Sequence, residues 1–87
     1  MKRKVIRFTA NWCQPCKAYA PTFNRVAGEK SDWTFESVNI DTESELAEKY
    51  NIRSIPATVL EIDDKMVAKF VGVVSSTDLH ARLDEWK

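Results

Sequence analysis

The stretch Val5-Ile6-Arg7-Phe8-Thr9-Ala10-Asn11-Trp12-Cys13-Gln14-Pro15-Cys16-Lys17 decides the fold, because the hydrophobic period changes within it. Val5, Ile6 and Phe8 form a short apolar run of strand formers that ends before Asn11 and Trp12, with Arg7 as its one charged member. From Cys13 the spacing turns helical. Cys16, Ala20, Phe23 and Ala27 recur at i, i+4, i+7 and i+11, with Tyr19 and Val26 beside them. Pro21 should kink this helix, since it removes one backbone donor and crowds the preceding turn. Gly28 marks its expected end. Two thiols therefore stand where a strand hands over to a helix.

Downstream, the same two periods alternate. Trp33 to Ile40 returns to strand character through Trp33, Phe35, Val38 and Ile40. Thr42 with Glu45 three places on is a capping-box pattern, and Leu46, Ala47 and Tyr50 give a short second helix. Pro56 introduces a strand over Ala57–Ile62, Asp63-Asp64-Lys65 makes a tight polar turn, and Met66–Val71 returns as the second arm of a hairpin closed by Gly72. Ser75 and Asp78 cap a last helix whose stripe is Leu79, Leu83 and Trp86. The order β-α-β-α-β-β-α predicts an α/β fold. Its first β-α-β is a right-handed parallel crossover, and the hairpin adds antiparallel strands to the same sheet.

Composition bounds what such a chain does. Its 87 residues suit one domain spanning 1–87, and 44% apolar with 30% charged residues is a globular profile, not a disordered one. Thirteen basic and thirteen acidic side chains cancel, which argues against nucleic-acid partners and against electrostatic attachment to a membrane. The start Met1-Lys2-Arg3-Lys4 resembles the charged region of a signal peptide, but Arg7 interrupts after Val5 and Ile6, too soon for an export or membrane segment. A monomer in the cytoplasm is the expectation. Two cysteines are too few for a secreted disulfide scaffold, and their C-x-x-C spacing points to redox chemistry or half of a metal site.

A helix N-terminus offers unpaired N–H groups and partial positive charge, both of which favour a thiolate over the free thiol pKa of about 8.5. Cys13, nearer the tip, is expected to be the exposed nucleophile; Cys16, one turn further in, is placed to resolve a mixed disulfide formed on Cys13. Pro15 fixes the backbone where its missing donor costs nothing. Structural zinc is the alternative use of two such cysteines, but tetrahedral zinc takes four ligands. The chain adds only His80, read as a solvated helix residue, so no metal is expected.

With these residues in view, Trp12-Cys13-Gln14-Pro15-Cys16-Lys17 resembles the WCGPCK site of thioredoxins, Gln14 replacing a glycine. Ala20-Pro21, Val38-Asn39-Ile40-Asp41, Tyr50-Asn51-Ile52-Arg53-Ser54-Ile55-Pro56 and Val71-Gly72 are similar to further family segments, in the family's order, so nearly the whole chain is covered. The resemblance implies a thioredoxin-like four-stranded mixed sheet, order 2-1-3-4, flanked by three helices and lacking the family's usual leading strand and helix. Compact forms of this kind are similar to glutaredoxins and to small viral and archaeal thioredoxins. The resemblance also implies a cis bond at Ile55-Pro56 facing the cysteines, with the Ile55 backbone pairing with substrate and Trp12 contributing to an apolar contact surface.

The implied activity is reduction of protein disulfides through a Cys13/Cys16 dithiol–disulfide cycle. It needs no bound cofactor, and thioredoxin reductase, or else glutathione, supplies the electrons. Two other readings accompany it: a non-catalytic docking subunit of the same fold, and a glutathione-dependent glutaredoxin-like reductase. Departures from the pattern concern tuning. Gln14, Pro15 and Lys17 flank the cysteines, Ala57 replaces a common threonine, and Arg7 stands where thioredoxins usually carry a buried aspartate, with Ser37 in place of its lysine partner. Pointing inward, Arg7 would stabilise thiolates and make the disulfide more oxidising; pointing outward, it would snorkel to solvent.

Overall fold

A computed structural model describes residues 1–86. Its first strand, β1 (Arg3–Thr9), lies inside the sheet, parallel to β2 (Thr34–Asn39) on one side and antiparallel to β3 (Ala57–Ile62) on the other. β4 (Lys65–Val71) pairs antiparallel with β3, which gives the order β2-β1-β3-β4. Asp63 and Asp64 take positive φ values of 52° and 70°, the left-handed pair that a two-residue hairpin turn needs and that aspartate tolerates. This is the four-stranded mixed sheet that the sequence implied, with three helices around it.

Side-chain alternation along β1 divides the core into two layers. Val5 packs with Tyr19, Phe23, Val26, Trp33, Leu60, Leu79 and Leu83 beneath α1 (Gln14–Glu29) and α3 (Ser76–Asp84). Ile6 and Phe8 point the other way, to Val38, Tyr50, Ala57 and Val59 on the side of α2 (Ser44–Lys49). Each fully buried leucine or phenylalanine contributes about 1.5–3 kcal/mol relative to exposure, so both layers matter in a chain this short. Arg7 shares the parity of Val5. It is thereby committed to the α1 side.

Three local expectations change. α1 runs through Gly28 to Glu29 and leaves at Lys30 with φ −116°, so no left-handed glycine ends it. The Thr42–Glu45 capping box does not form: Thr42 Oγ1 donates to the Asn39 carbonyl, and α2 begins at Ser44 behind an N-cap Glu43 that makes no side-chain cap bond. The Glu43 N–H also closes a turn onto Asn39 O at 2.9 Å, so Thr42 lies within that turn, one residue before the N-cap. α3 ends at Asp84, so Trp86 packs against the core from beyond the helix rather than from within its stripe. The α3 cap is as read, Ser75 Oγ accepting from the Asp78 N–H at 3.1 Å.

Candidate functional site

At the carboxyl end of β1 the chain turns through Ala10–Trp12 and enters α1. The Cys13 N–H bonds back to Ala10 O, the Lys17 N–H reaches Cys13 O, and Cys13 is the helix N-cap, its extended backbone (φ −92°, ψ 106°) suiting that role. Its sulfur occupies the position of a capping oxygen and accepts the Cys16 N–H at 3.2 Å. Pro15 lies in the first helical turn, where no intrahelical partner is lost. One helical turn brings the two Cα atoms to 5.2 Å, and the sulfurs are joined in a disulfide.

Burial differs from the expectation in one respect. Cys16 is fully enclosed, as expected, but Cys13 is only 5% exposed in the disulfide, not open to solvent. The cover comes from the turn before α1, from the residue after β2 and from the loop opposite. Ala10, Ile40 and Ile55 pack around both cysteines, and the Ile55 carbonyl oxygen stands 4.0 Å from Cys13 Sγ. The Ile55–Pro56 bond is cis, and Pro56 O accepts the Gly72 N–H at 2.8 Å, which ties this loop to the end of β4. Gly72 holds φ 102°, a conformation other residues rarely adopt. Val71 and Val73 beside it are exposed, and so is Trp12, at 66%, next to Cys13 in the chain.

Reading the sequence missed Asp41. Its Oδ2 accepts the Trp12 indole N–H at 2.9 Å and so orients the exposed ring. Asp41 is itself set by Asn39, whose Oδ1 accepts the Asp41 N–H at 2.8 Å. The signal was present in the topology: parallel pairing puts the carboxyl ends of β1 and β2 side by side, as the Ile40 N–H to Thr9 O bond shows.

Arg7 is half-buried, its guanidinium reaching Ser37 and the backbone of Cys16, and among the described residues it makes no hydrogen bond to a sulfur. Its Nε and Nη2 donate to Ser37 Oγ at 3.2 and 3.0 Å, and Nη1 reaches the Cys16 carbonyl at 3.5 Å. The guanidinium carbon lies 5.3 Å from the centre of the Phe23 ring. Burial holds the Arg7 pKa below its ordinary value, partly offset by Tyr19. Tyr19 in turn is pushed up by burial, against the effect of its 2.9 Å hydrogen bond to Thr58. A cavity of about 370 Å³ opens beside Cys16, with Arg7, Asn11 and Lys17 among its other walls. Gln14 and Lys17 are exposed on the first turn of α1. His80 joins α3 to α1 through Glu29 Oε1 at 2.7 Å and takes no part in the site. Among the described residues no three His, Cys, Asp or Glu side chains gather as a metal centre would require.

On the opposite face of the sheet Glu61, 4% exposed, accepts a hydrogen bond from the Tyr50 hydroxyl. Burial first, and then the Glu61 bond, hold the Tyr50 pKa well above its ordinary value. Lys69 donates to the carbonyls of Tyr50 and Asn51, at 3.4 and 3.1 Å, so this turn is held from both β3 and β4.

Comparison with known proteins agrees with this geometry. The family model described as Thioredoxin matches residues 1–85. A thioredoxin of Mycoplasmoides gallisepticum is 44% identical over 78 residues, which cover 90% of this chain and 78% of that protein. A thioredoxin of Mycoplasma genitalium is 35% identical over 78 residues, covering 90% and 76%. Among solved structures, the thioredoxin of Fasciola hepatica superimposes with a TM-score of 0.92 at 32% identity, covering 99% of this chain and 82% of that one.

Proposed function

This chain belongs to the thioredoxin family and is a thiol–disulfide oxidoreductase; on that premise we propose that Cys13 is its attacking thiol and Cys16 its resolving thiol. The observation that carries the assignment is the N-cap position of Cys13. As a thiolate, its sulfur would keep the Cys16 N–H bond at 3.2 Å and face the positive end of a 16-residue helix, both of which lower a thiol pKa.

In the reducing direction the Cys13 thiolate attacks one sulfur of a substrate disulfide. A Cys13–substrate bond forms, and the first substrate thiolate leaves. Cys16, as thiolate, then attacks Cys13 Sγ, which closes the Cys13–Cys16 disulfide and expels the second substrate thiolate. Two electrons have passed to the substrate. A donor returns two electrons and two protons to the cysteines. Protein disulfides are the substrate class of the family; for the donor we place thioredoxin reductase first and the glutathione system second. Trp12, Ile55 and Pro56 would receive the substrate chain: Ile55 packs against the cysteines, Pro56 follows it through the cis bond, and Trp12, beside Cys13 in the chain, is exposed. Gln14, Pro15 and Lys17 would tune the cysteines from the same turn. The working place is the cytoplasm, where a dithiol stays reduced between turnovers, and the acting unit is one monomeric domain.

Trapping tests the roles. Reduced Cys16→Ser protein mixed with a disulfide-containing model protein should accumulate a one-to-one adduct through Cys13, and Cys13→Ser should give none. An adduct through Cys16 in the Cys13→Ser protein would reverse the assignment. NADPH-coupled turnover with thioredoxin reductase, but not with glutathione and its reductase, is the expected donor result; the opposite pattern would make glutathione the donor.

A further inference from the structure

Three cations occupy β1, and two of them find acids: Arg3 pairs with Asp32 at 3.6 Å and Lys4 with Glu36 at 3.8 Å. The third, Arg7, sits in register with Ser37 on β2 and Thr58 on β3, neither of which carries charge. Its guanidinium is held by Ser37 Oγ, the Cys16 carbonyl and the Phe23 ring, all neutral. Among the described residues no carboxylate comes within ion-pair distance of it. The first turn of α1 contains no acid either, and its one charged residue is Lys17, another cation. Asp41, the acid beyond β2, is engaged by Trp12. A half-buried guanidinium with no ion-pair partner among the described residues and the N-terminus of α1 thus lie beside Cys16, and Arg7, Cys16 and Lys17 line one cavity.

Reduction of the disulfide supplies a negative charge. Building on the assignment of Cys16 as the resolving thiol, we propose that Arg7 is a positioning residue which stabilises the Cys16 thiolate, so that Cys16 attacks without a neighbouring base and the Cys13–Cys16 disulfide is more readily reduced. Arg7 is anchored by Ser37 and reaches the Cys16 carbonyl at 3.5 Å, so the guanidinium already stands beside the residue on which the charge would form. Its partial desolvation strengthens the effect, because a cation already stripped of water interacts more strongly with an anion nearby. Tyr19, the other titratable group facing Arg7, is held neutral by burial through the range in which a thiol titrates. Lys17 adds a solvated charge of the same sign.

The direction of the pH effect follows from the reduced state alone, since a disulfide binds no protons. A cation lowers the Cys16 pKa, which favours the reduced protein only where Cys16 is ionised. Between Arg7 protein and an Arg7→Gln variant, the redox equilibrium should therefore be the same below the native Cys16 pKa. It should diverge between the two pKa values and stay offset above both.

The experiment titrates Cys16 directly by thiolate absorbance in Cys13→Ser protein, with Arg7, Arg7→Lys and Arg7→Gln. Arg7→Gln should raise the Cys16 pKa by about one unit, and Arg7→Lys should recover most of the shift. In the two-cysteine protein, equilibration against glutathione should show an offset of about tenfold at high pH, equivalent to about 30 mV, and none at low pH. If Arg7→Gln does not fold, Ser37→Asp replaces it, because a paired carboxylate cancels the charge and should raise the Cys16 pKa as well. An unchanged Cys16 pKa in folded variants, or an offset independent of pH, would overturn the role of Arg7 and leave the thiol cycle standing. Failure of Cys16→Ser to trap substrate would overturn the cycle instead.

Discussion

Replacing Tyr50 with phenylalanine removes one oxygen from the most enclosed charged contact of the α2 layer. Glu61 is 4% exposed and Tyr50 8%, so the pair meets water only through the cavity of about 250 Å³ that both residues line, and among the described residues the Glu61 carboxyl has no other hydrogen-bond partner. Hydrogen bonds to charged groups contribute about 1.5–3 kcal/mol, and an orphaned buried partner puts the loss toward the upper end. A domain of this length has a total stability of roughly 4–13 kcal/mol, so Tyr50→Phe removes a substantial fraction and should lower Tm by about 6–20 °C. Urea denaturation of the oxidised protein measures it. The double variant Tyr50→Phe/Glu61→Met removes both polar partners, and its cost should fall short of the sum of the single costs by at least about 1 kcal/mol. A Tyr50→Phe protein within about 0.5 kcal/mol of the parent, with an unchanged m-value, would refute the reasoning, because the pair would then have to be hydrated.

The two glycines should respond oppositely to alanine. Gly28 lies inside α1 with nothing within 4 Å of an added Cβ, so Gly28→Ala should stabilise by about 0.5–1 kcal/mol, whereas Gly72 at φ 102° has equal room but a backbone alanine resists, so Gly72→Ala should destabilise by about 1–3 kcal/mol. Thermal unfolding separates them, and a stabilised Gly72→Ala would contradict the assigned turn. In alkali, Tyr19 and Tyr50 keep their protons longer in the folded chain than in the unfolded one, whose tyrosines titrate near about 10. The stability they contribute is intact below that pH and is lost as pH rises toward their folded values, so Tm should fall steeply above about pH 10 and less steeply in Tyr50→Phe; equal slopes in both proteins would count against it.

What the sequence made legible was periodic or local. The strand-to-helix change at Cys13, the Asp63-Asp64 turn and the Ser75 cap each depend on residues within one turn of one another, and each formed. The Cys13–Cys16 pairing belongs to the same class, since one helical turn fixes the separation. The misreadings are also local, but each involves two competing uses of the same backbone. Thr42 had a cap available at α2 and a carbonyl available at Asn39, and its hydroxyl went to the carbonyl within the turn that precedes α2. Gly28 could have taken a left-handed φ, but α1 packs Val26 into the core and continues one residue past the glycine. Partners on distant elements left no local trace: nothing near Glu61 announces Tyr50, and nothing near Trp12 announces Asp41 until the parallel register is known.

The burial of Cys13 shows why those distant partners bear on function. Ile55 is one of three residues packed over the disulfide, and it follows the Tyr50–Asn51 turn by only a few residues. That turn includes Asn51 at φ 55° and is held by the Glu61 carboxyl through the Tyr50 hydroxyl and by Lys69 through two carbonyls. At its other end the same loop is fixed by the Gly72 N–H on Pro56 O. The wall facing Cys13 is therefore set from β3 and β4, while the electrostatics behind Cys16 are set from β1 and β2 through Arg7 and Ser37. Access to the first sulfur and ionisation of the second are thus controlled by different strands of one sheet. Substitutions at Glu61 or Lys69 should change how readily substrate reaches Cys13 without moving the Cys16 pKa, and substitutions at Arg7 should do the reverse. Measuring adduct formation rate and Cys16 titration on both sets of variants separates the two controls, and a variant of either set that shifts both readouts together would show them to be one.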